Sequence, residues 1–199
     1  TGVSARLWDI HGSGPSDVWA VADNGARVHW DGSRWSRTEG DGYDFLAAVW
    51  VNGPADVWAV GNGALVLRFD GSVWKRIPNP AEGPNAPMLT SVWGTGDGEV
   101  FVAGDEGVLL RWDGSRFTLT DTGTSVPLVS VWAGAGEAWA VGVGGTILRW
   151  QTTRWSPVPS GTTSNLFEVH GSAANDVWVT GEHGTTLHWD GQAWTPSQS

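Results

Sequence analysis

Short apolar runs with constant internal spacing recur five times along the chain. Each run opens on an acidic residue and continues as DVWAV or a close variant, starting at Asp17, Asp56, Glu99, Glu137 and Asp176. A second aromatic residue follows the central aromatic of the run by eleven positions, and a third follows five positions later. Runs of this length and composition, bounded by Gly, Asp and Pro, are typical of β-strands. The pattern therefore predicts a β-structured repeat of about 40 residues.

Four aromatic columns define the repeat, and fifteen of the sixteen Trp residues occupy them. The first column is His11, Trp50, Trp93, Trp132 and His170, and the second is Trp19, Trp58, Phe101, Trp139 and Trp178. The third is Trp30, Phe69, Trp112, Trp150 and Trp189, and the fourth is Trp35, Trp74, Phe117, Trp155 and Trp194. Truncating a buried Trp typically costs about 3–5 kcal/mol, so we interpret the columns mainly as packing between repeats.

Each copy predicts four strands, with an Asp-Gly hairpin signal before the fourth strand in four of the five copies. Continuous apolar residues in the second and third strands indicate sheets that are covered on both faces. Units of this kind stack radially and close into a ring. The sequence therefore predicts an all-β, five-bladed β-propeller with four antiparallel strands per blade, as one domain over residues 1–199. The predicted repeats are residues 4–42, 43–85, 86–124, 125–162 and 163–199.

The order of strands in the repeat also predicts how the propeller ring closes. The first copy opens on its first strand and the last copy ends on its fourth, so we expect each blade to be one continuous repeat. Closure would then depend on packing of blade five against blade one, with no strand exchanged between the ends of the chain.

The DVWAVG and RWDGSxW strings, which recur in varied form in all five copies, resemble the WD-like and Asp-box-like propeller repeats of bacteria. The resemblance covers nearly the whole chain and implies a propeller. Proteins with such repeats include lectins, assembly factors and interaction scaffolds. The resemblance therefore does not select one function among them.

Composition excludes several classes of function. The chain has no Cys, which excludes a disulfide scaffold and a Cys-ligated metal site. The net charge is −10 and there is a single Lys, so we expect no nucleic-acid partner and no anionic membrane partner. No apolar run approaches the roughly 18 residues of a membrane span. The chain lacks an initiator Met, and we expect it to be a processed or excised piece.

Six residues are candidates for ligand binding. Trp8 lies outside the columns, where the other copies have Ala47, Thr90, Val129 and Phe167. A basic column precedes the third aromatic column and consists of His29, Arg68, Arg111, Arg149 and His188. Its recurrence favours a structural role, such as pairing with an acidic turn residue like Glu106 or stacking on a ring. The alternative is a repeated contact with anionic or hydroxyl groups of a ligand.

A second candidate set lies in the first strands of blades one and five. Asp9 and His11, and likewise Glu168 and His170, are two positions apart, which places each pair on one face of its strand. Carboxylates and imidazoles bind zinc, so a metal site is one hypothesis. We favour polar hydrogen-bonded pairs where the ring closes, and a contact with another ligand is the third possibility. Asp9 and Glu168 could also be glycosidase carboxylates, but the even repeat and short loops argue against an enzyme.

These features together favour a non-catalytic binding module that needs no cofactor. The first hypothesis is a lectin-like propeller with shallow sites between blades, in which aromatic rings stack on sugar rings and the Arg/His column and turn aspartates bond to sugar hydroxyls. Repeated weak sites of this kind gain avidity on a multivalent glycan. The alternative is a protein-interaction scaffold that uses one propeller face and the variable loops between blades. We expect a monomer whose ligand is a glycan or a protein.

Overall fold

The computed structural model describes residues 6–40, 44–134 and 136–197. Within these ranges the chain forms five antiparallel sheets of four strands each. In every sheet the strands that are hydrogen-bonded neighbours are also consecutive in the chain. The sheets confirm the predicted all-β, five-bladed β-propeller, and no strand within the described ranges is exchanged between blades.

The strand bounds follow the repeat. Blade one contains β1 (Leu7–Gly14), β2 (Asp17–Ala22), β3 (Arg27–Trp30) and β4 (Trp35–Thr38). Blade two contains β5 (Leu46–Gly53), β6 (Asp56–Gly61), β7 (Val66–Phe69) and β8 (Trp74–Arg76). Blade three contains β9 (Leu89–Gly94), β10 (Val100–Gly104), β11 (Leu109–Trp112) and β12 (Phe117–Leu119). Blade four contains β13 (Leu128–Gly134), β14 (Glu137–Gly142), β15 (Ile147–Gln151) and β16 (Arg154–Pro157). Blade five contains β17 (Leu166–Ala173), β18 (Asp176–Gly181), β19 (Thr186–Trp189) and β20 (Trp194–Pro196).

A short 3₁₀ turn joins the second and third strands of every blade. These turns are Asp23–Gly25, Asn62–Ala64, Asp105–Gly107, Val143–Gly145 and Glu182–Gly184. The central residue of the turn has a φ near +60° in each copy, for example +61° at Asn24 and +67° at Gly144. Because Gly and Asn tolerate this conformation best, the turns are rich in these residues. No helix in the described part of the chain is long and apolar enough to cross a membrane.

The chain divides into two compact units, Thr1–Val92 and Trp93–Ser199. In the first unit, Trp19 of β2 inserts between the rings of Phe69 and Trp74 in blade two, at centroid distances of 5.1 and 5.3 Å. Val21 of β2 and Val49 of β5 complete this apolar cluster. The core of the first unit therefore lies between the facing sheets of blades one and two.

The second unit repeats the same insertion twice. Phe101 of β10 contacts the two aromatic residues of the next blade, Trp150 and Trp155, each at 5.9 Å. Trp139 of β14 contacts the corresponding aromatic residues of blade five at 4.9 and 5.1 Å, in the pairs Trp139–Trp189 and Trp139–Trp194. Each second-strand aromatic in these contacts is thus held by the third-strand and fourth-strand aromatics of the following blade. The aromatic columns pack blades together, as the sequence predicts.

The predicted repeat limits can be compared with the strand bounds. The predicted repeat limits at residues 4, 42, 43 and 199 lie outside the described residues. The remaining limits fall in the loops after β8, β12 and β16.

Candidate functional site

In each blade the acid at the beginning of the DVWAV-type run bonds to the basic residue twelve positions later, as an ion pair where that residue is Arg and as a hydrogen bond where it is His. The pairs are His29–Asp17, Arg68–Asp56, Arg111–Glu99, Arg149–Glu137 and His188–Asp176. The bonded atoms lie 2.9 Å apart in blades one and five and 2.8 Å apart in blade two. The predicted pairing with an acid is therefore present, but the partner of Arg111 is Glu99 and not the turn residue Glu106.

The same basic side chains stack on aromatic rings. Two imidazoles lie 4.3 Å from an indole, in the pairs His29–Trp19 and His188–Trp178. Two guanidinium carbons lie 4.9 and 5.0 Å from the ring of their own blade, in the pairs Arg68–Trp58 and Arg149–Trp139. In blade three Arg111 instead lies over Trp150 of the next blade, at 5.7 Å. Stacking, the second predicted role of this column, is therefore also present.

In blades where the paired acid is Asp and the second-strand aromatic is Trp, the Asp also accepts a hydrogen bond from the indole of that Trp. The indole N–H of Trp58 donates to Asp56 at 3.0 Å, and the indole N–H of Trp178 donates to Asp176 at 2.9 Å. In blade four the longer Glu137 binds Arg149 through both carboxylate oxygens, and the buried indole N–H of Trp139 has no hydrogen-bond partner. In blades two and five the Asp therefore accepts hydrogen bonds from both the indole and the basic residue. In blade four the Glu accepts hydrogen bonds from the basic residue only.

Sequence reasoning did not assign a role to these acids. The signal was available, because an acid precedes the basic column by twelve residues in all five copies. Antiparallel pairing of the second and third strands brings the two residues to the same end of the blade, for example Val57 opposite Phe69 and Trp58 opposite Arg68. The column His29, Arg68, Arg111, Arg149 and His188 is thus engaged within the protein, and ligand binding by it stays a prediction.

Trp8 is exposed on β1 but makes three contacts. Its indole N–H donates to Asp23 at 2.6 Å, and its ring meets that of Phe45 edge-on at 5.0 Å. The guanidinium of Arg6 lies 3.9 Å above the ring. These contacts hold the indole in place and leave part of it open to solvent, and a binding role for Trp8 stays a prediction.

Asp9 and His11 connect blade one to blade two. One carboxylate oxygen of Asp9 accepts the backbone N–H of Val49, and the other accepts that of Ile10, both at 2.8 Å. Nδ1 of His11 accepts the backbone N–H of Val51 at 3.0 Å. Burial raises the pKa of the Asp9 carboxyl, although the two N–H groups and nearby His11 act in the opposite direction. These polar side chains therefore bond to first-strand backbone of the next blade.

Glu168 and His170 have partners in their own unit. Ser130 of blade four donates its hydroxyl to Glu168 at 2.9 Å, and its oxygen accepts the N–H of Val169 at 3.2 Å. The ring of His170 lies edge-on to that of Trp93 at 5.2 Å. Among the residues with described positions, no group of three or more His, Asp and Glu side chains is placed to hold a metal ion. Metal binding by Asp9, His11, Glu168 and His170 stays a prediction.

The aspartates of the Asp-Gly turns organise the turn before the fourth strand. Oδ1 of Asp31 accepts the backbone N–H of Ser33 and of Arg34, both at 2.8 Å, and the Ser33 hydroxyl at 2.7 Å. These bonds lower the pKa of Asp31 to about 2, and the equivalent bonds do the same for Asp113. All of these donors belong to the turn itself, which agrees with the predicted turn-forming role.

The second unit contains a groove with a volume of about 910 Å³. It is formed by residues 122–124 of the loop after blade three, by residues 145–148, and by residues 157–163 after β16. We call it the blade-four groove. Its base is apolar, with Ile147, Leu148 and Val158, and its walls carry the hydroxyls of Thr and Ser residues. The lining contains no charged side chain and no aromatic ring.

Hydrogen bonds within the chain fix the walls of the blade-four groove. The N–H of Val158 donates to the carbonyl of Ile147 at 2.9 Å, which continues the pairing of β16 beyond its end. The Ser160 hydroxyl donates to the carbonyl of Thr162 at 3.1 Å and accepts the N–H of the same residue at 3.3 Å. On the opposite wall the Thr122 hydroxyl donates to the carbonyl of Gly107 at 2.9 Å. The groove is therefore a preformed feature of two ordered loops.

Comparison with known proteins identifies the fold. No protein-family model and no curated protein matches the chain. Among solved structures, YCF48 bound to D1 peptide is 18% identical with a TM-score of 0.73, over 97% of this chain and 67% of that one. YCF48 from Cyanidioschyzon merolae is 18% identical with a TM-score of 0.70, over 99% and 72%. The likeness is one of fold, and it agrees with a β-propeller.

A third similar structure is that of the RRP9 WD40 repeats. It is 10% identical to this chain with a TM-score of 0.75, and the match covers 98% of this chain and 63% of that one. At such identities the likeness concerns the fold alone. It agrees with the β-propeller fold that the repeat predicts.

Proposed function

We propose that this chain is a non-catalytic protein-interaction module that binds a peptide segment of its partner in the blade-four groove. The observation that carries the proposal is the groove itself, an uncharged cleft of about 910 Å³ between two ordered loops. This is the alternative function that the sequence predicts, in which variable loops between blades supply the binding surface. Support also comes from the similar fold of YCF48, whose structure contains a D1 peptide.

The chemistry of the groove suits a peptide. Ile147, Leu148 and Val158 offer aliphatic contacts at the base, whereas Thr146 and Thr163 offer hydroxyl groups. Binding sites typically combine an apolar lining with a few polar groups that fix orientation. We therefore expect a segment with an aliphatic side chain directed into the groove and a backbone that bonds to the walls.

The net negative charge of the chain influences which residues of the partner flank the bound segment. The chain carries a net charge of −10, while the groove lining is uncharged. Long-range attraction therefore favours a partner with basic residues that flank the bound segment. The expected contribution is to the association rate, and it decreases as salt concentration rises.

Protein binding explains the groove better than carbohydrate binding does. Sugar rings are recognised mainly by stacking on exposed aromatic faces, and the blade-four groove has no aromatic lining. Rings that the lectin hypothesis requires, such as Trp139 and Phe101, are fully buried between blades. The proposed ligand is accordingly a peptide, and a glycan is the competing outcome of the experiment.

The experiment selects peptides from a random displayed library on the immobilised 199-residue chain. We expect uncharged segments with aliphatic residues and basic flanks, with micromolar affinity. The variant Thr163→Arg places a long cation in the groove wall and should weaken binding at least tenfold. Thr195→Arg makes the same change on the exposed strand β20 and should leave binding unchanged.

Two results would reject the proposal. One is that the selected peptides bind Thr163→Arg as tightly as the unmodified chain. The other is that no peptide is enriched while the chain binds a defined family on a glycan array, which would establish the carbohydrate hypothesis. Far-UV circular dichroism of both variants verifies that the fold is retained.

A further inference from the structure

The two walls of the blade-four groove are copies of one loop motif. The loops after blades three and four, residues 120–127 and 158–165, have the same length and share a pattern of Ser or Thr, then Gly, then Thr. The pattern is Thr122-Gly123-Thr124 in the first loop and Ser160-Gly161-Thr162 in the second. Both loops belong to the second compact unit, and both line the groove. The groove therefore lies between equivalent residues of two neighbouring blades.

The motif forms the same hydrogen bonds in both walls. Its first hydroxyl is 3.1 Å from the carbonyl oxygen of its third residue, in the pairs Thr122–Thr124 and Ser160–Thr162. Its third hydroxyl accepts, at 3.1 Å, the backbone N–H of the residue two positions later, which is Val126 in one loop and Ser164 in the other. Each third hydroxyl is therefore held in place by its own loop.

Thr124 and Thr162 each retain a hydrogen that can be donated to a ligand. A hydroxyl has one hydrogen and two lone pairs, and in each of these residues the loop N–H occupies one lone pair. Within residues 6–40, 44–134 and 136–197, neither hydroxyl hydrogen has an acceptor. Both side chains line the groove and are half-buried. The groove therefore presents one ordered donor on each wall.

The uncharged lining limits which part of a partner chain fits. A terminal carboxylate or ammonium group in the groove would lose hydration, and no charged side chain of the lining would compensate for that loss. The net charge of −10 opposes a terminal carboxylate further. The lining therefore favours an internal segment of the partner over a chain terminus.

We propose that the blade-four groove binds an internal, extended segment of its partner, and that Thr124 and Thr162 donate to two backbone carbonyls, one on each side of an aliphatic anchor residue. The anchor packs on Ile147, Leu148 and Val158 at the base of the groove. This inference rests on the proposed peptide-binding function and adds the two residues that position the segment. Because every residue has a carbonyl, the hydroxyls fix the path of the segment, whereas the anchor supplies the sequence preference.

Isothermal titration calorimetry with a peptide selected from the displayed library tests this binding mode on the 199-residue chain. The peptide is acetylated and amidated, so that neither end is charged. Thr124→Val and Thr162→Val should each weaken binding about fivefold, the effect of one lost hydrogen bond. Thr124→Ser and Thr162→Ser keep the hydroxyl and should bind within about twofold of the unmodified chain. Far-UV circular dichroism verifies that all four variants are folded.

Changes in the peptide distinguish donation by the hydroxyls from a loss of loop structure. A thioamide in place of one amide weakens that carbonyl as an acceptor, because sulfur accepts hydrogen bonds poorly. At the carbonyl that accepts from Thr162, it should weaken binding to the unmodified chain about fivefold and cause no further loss in Thr162→Val. Thr124→Val should show the same coupling at the carbonyl on the other side of the anchor. A purely structural effect of Val would leave the thioamide effect unchanged in both variants.

Truncation of the peptide tests whether the segment is internal. A peptide that ends in a free carboxylate directly after the anchor should bind at least about tenfold more weakly than the same peptide ending in an amide. The binding mode is overturned if the carboxylate binds equally well, or if neither Thr is coupled to a thioamide. Either result, with binding still weakened by Thr163→Arg, would leave the proposed peptide-binding function intact. If no peptide is selected, or if Thr163→Arg binds normally, both proposals fail.

Discussion

The guanidinium of Arg149 lies 5.0 Å from the ring centroid of Trp139, and it is equally close to Trp189 of the next blade. Its Nε and Nη2 groups donate to the two carboxylate oxygens of Glu137. One basic side chain therefore joins an ion pair within its blade to the aromatic packing between two blades. This arrangement explains why a basic residue recurs beside the third aromatic column without any need for a ligand.

Replacing Arg149 should destabilise the protein more than replacing Arg68. Both side chains of the Arg149–Glu137 pair are less than one fifth exposed, while those of the Arg68–Asp56 pair are 37% and 25% exposed. Arg149→Met leaves the largely buried carboxylate of Glu137 without its cation, so we expect a loss of about 2 kcal/mol in the free energy of unfolding. Arg68→Met should cost about 1 kcal/mol or less.

Urea denaturation followed by Trp fluorescence measures both losses. A double-mutant cycle with Glu137→Gln should give a coupling energy of about 1–2 kcal/mol. A coupling energy near zero would show that Arg149 acts through its packing on the rings and not through the ion pair.

The five second-strand aromatics should differ in their contribution to stability. Trp139→Ala leaves a cavity between blades four and five, and a loss of about 3–5 kcal/mol is expected. Trp178→Ala, at the same repeat position in blade five, should cost less, about 1–2 kcal/mol, because this residue is already 40% exposed. Thermal unfolding of both variants at low protein concentration checks this order, and equal losses would contradict it.

The repeat made the blade architecture predictable, since five copies of the strand pattern fixed the number of sheets and their strand order. The role of Asp9 was harder to predict from the sequence. Its partners are backbone amides of Val49 and Ile10, and a sequence pattern does not show which N–H groups lack a bond within their own sheet. Placing Asp9 and His11 where the ring closes was therefore an inference from chain order, and their observed bonds run from blade one to blade two.

The blade-four groove could not be predicted for a different reason. Its walls belong to loops that differ in sequence between blades, so no repeated signal marks them. Its base residues, Ile147 and Leu148, follow the same pattern as the apolar third strands elsewhere. Only the path of residues 157–163 relative to residues 122–124 creates the cleft.

Two adjacent glycines of the blade-four turn should respond differently to substitution. Gly144 and Gly145 both have positive φ, at +67° and +74°. A Cβ at Gly144 meets no atom within 4 Å, whereas a Cβ at Gly145 would lie 2.0 Å from the carbonyl oxygen of Thr162. We expect a loss of about 1 kcal/mol for Gly144→Ala from the left-handed backbone alone.

Gly145→Ala should cost about 2–4 kcal/mol, because the Thr162 wall of the groove must also move. Peptide binding should weaken in this variant and not in Gly144→Ala. Comparable losses of stability in the two variants would show that the groove wall moves freely.

Asp9 and Asp31 should give the stability of the protein opposite dependences on pH. Burial raises the pKa of Asp9 in the folded protein, so the folded state binds a proton more readily than the unfolded state. Unmodified protein should therefore gain stability over Asp9→Asn as the pH falls through the raised pKa toward 3.8, and the difference should be constant below that. Near neutral pH Asp9→Asn removes the buried charge but also one of the two oxygens that accept the N–H groups of Val49 and Ile10, so we expect these effects to offset and the difference in stability to be small.

Asp31 has a folded-state pKa of about 2, which is below its ordinary value of 3.8. Its turn bonds consequently stabilise the folded state above pH 4, and this contribution is lost as the pH falls from about 4 to about 2. Urea denaturation of Asp9→Asn, Asp31→Asn and the unmodified chain between pH 2.5 and 7 should therefore give difference curves of opposite slope. Parallel curves would mean that Asp9 is solvated in the folded protein and does not bury its charge against blade two.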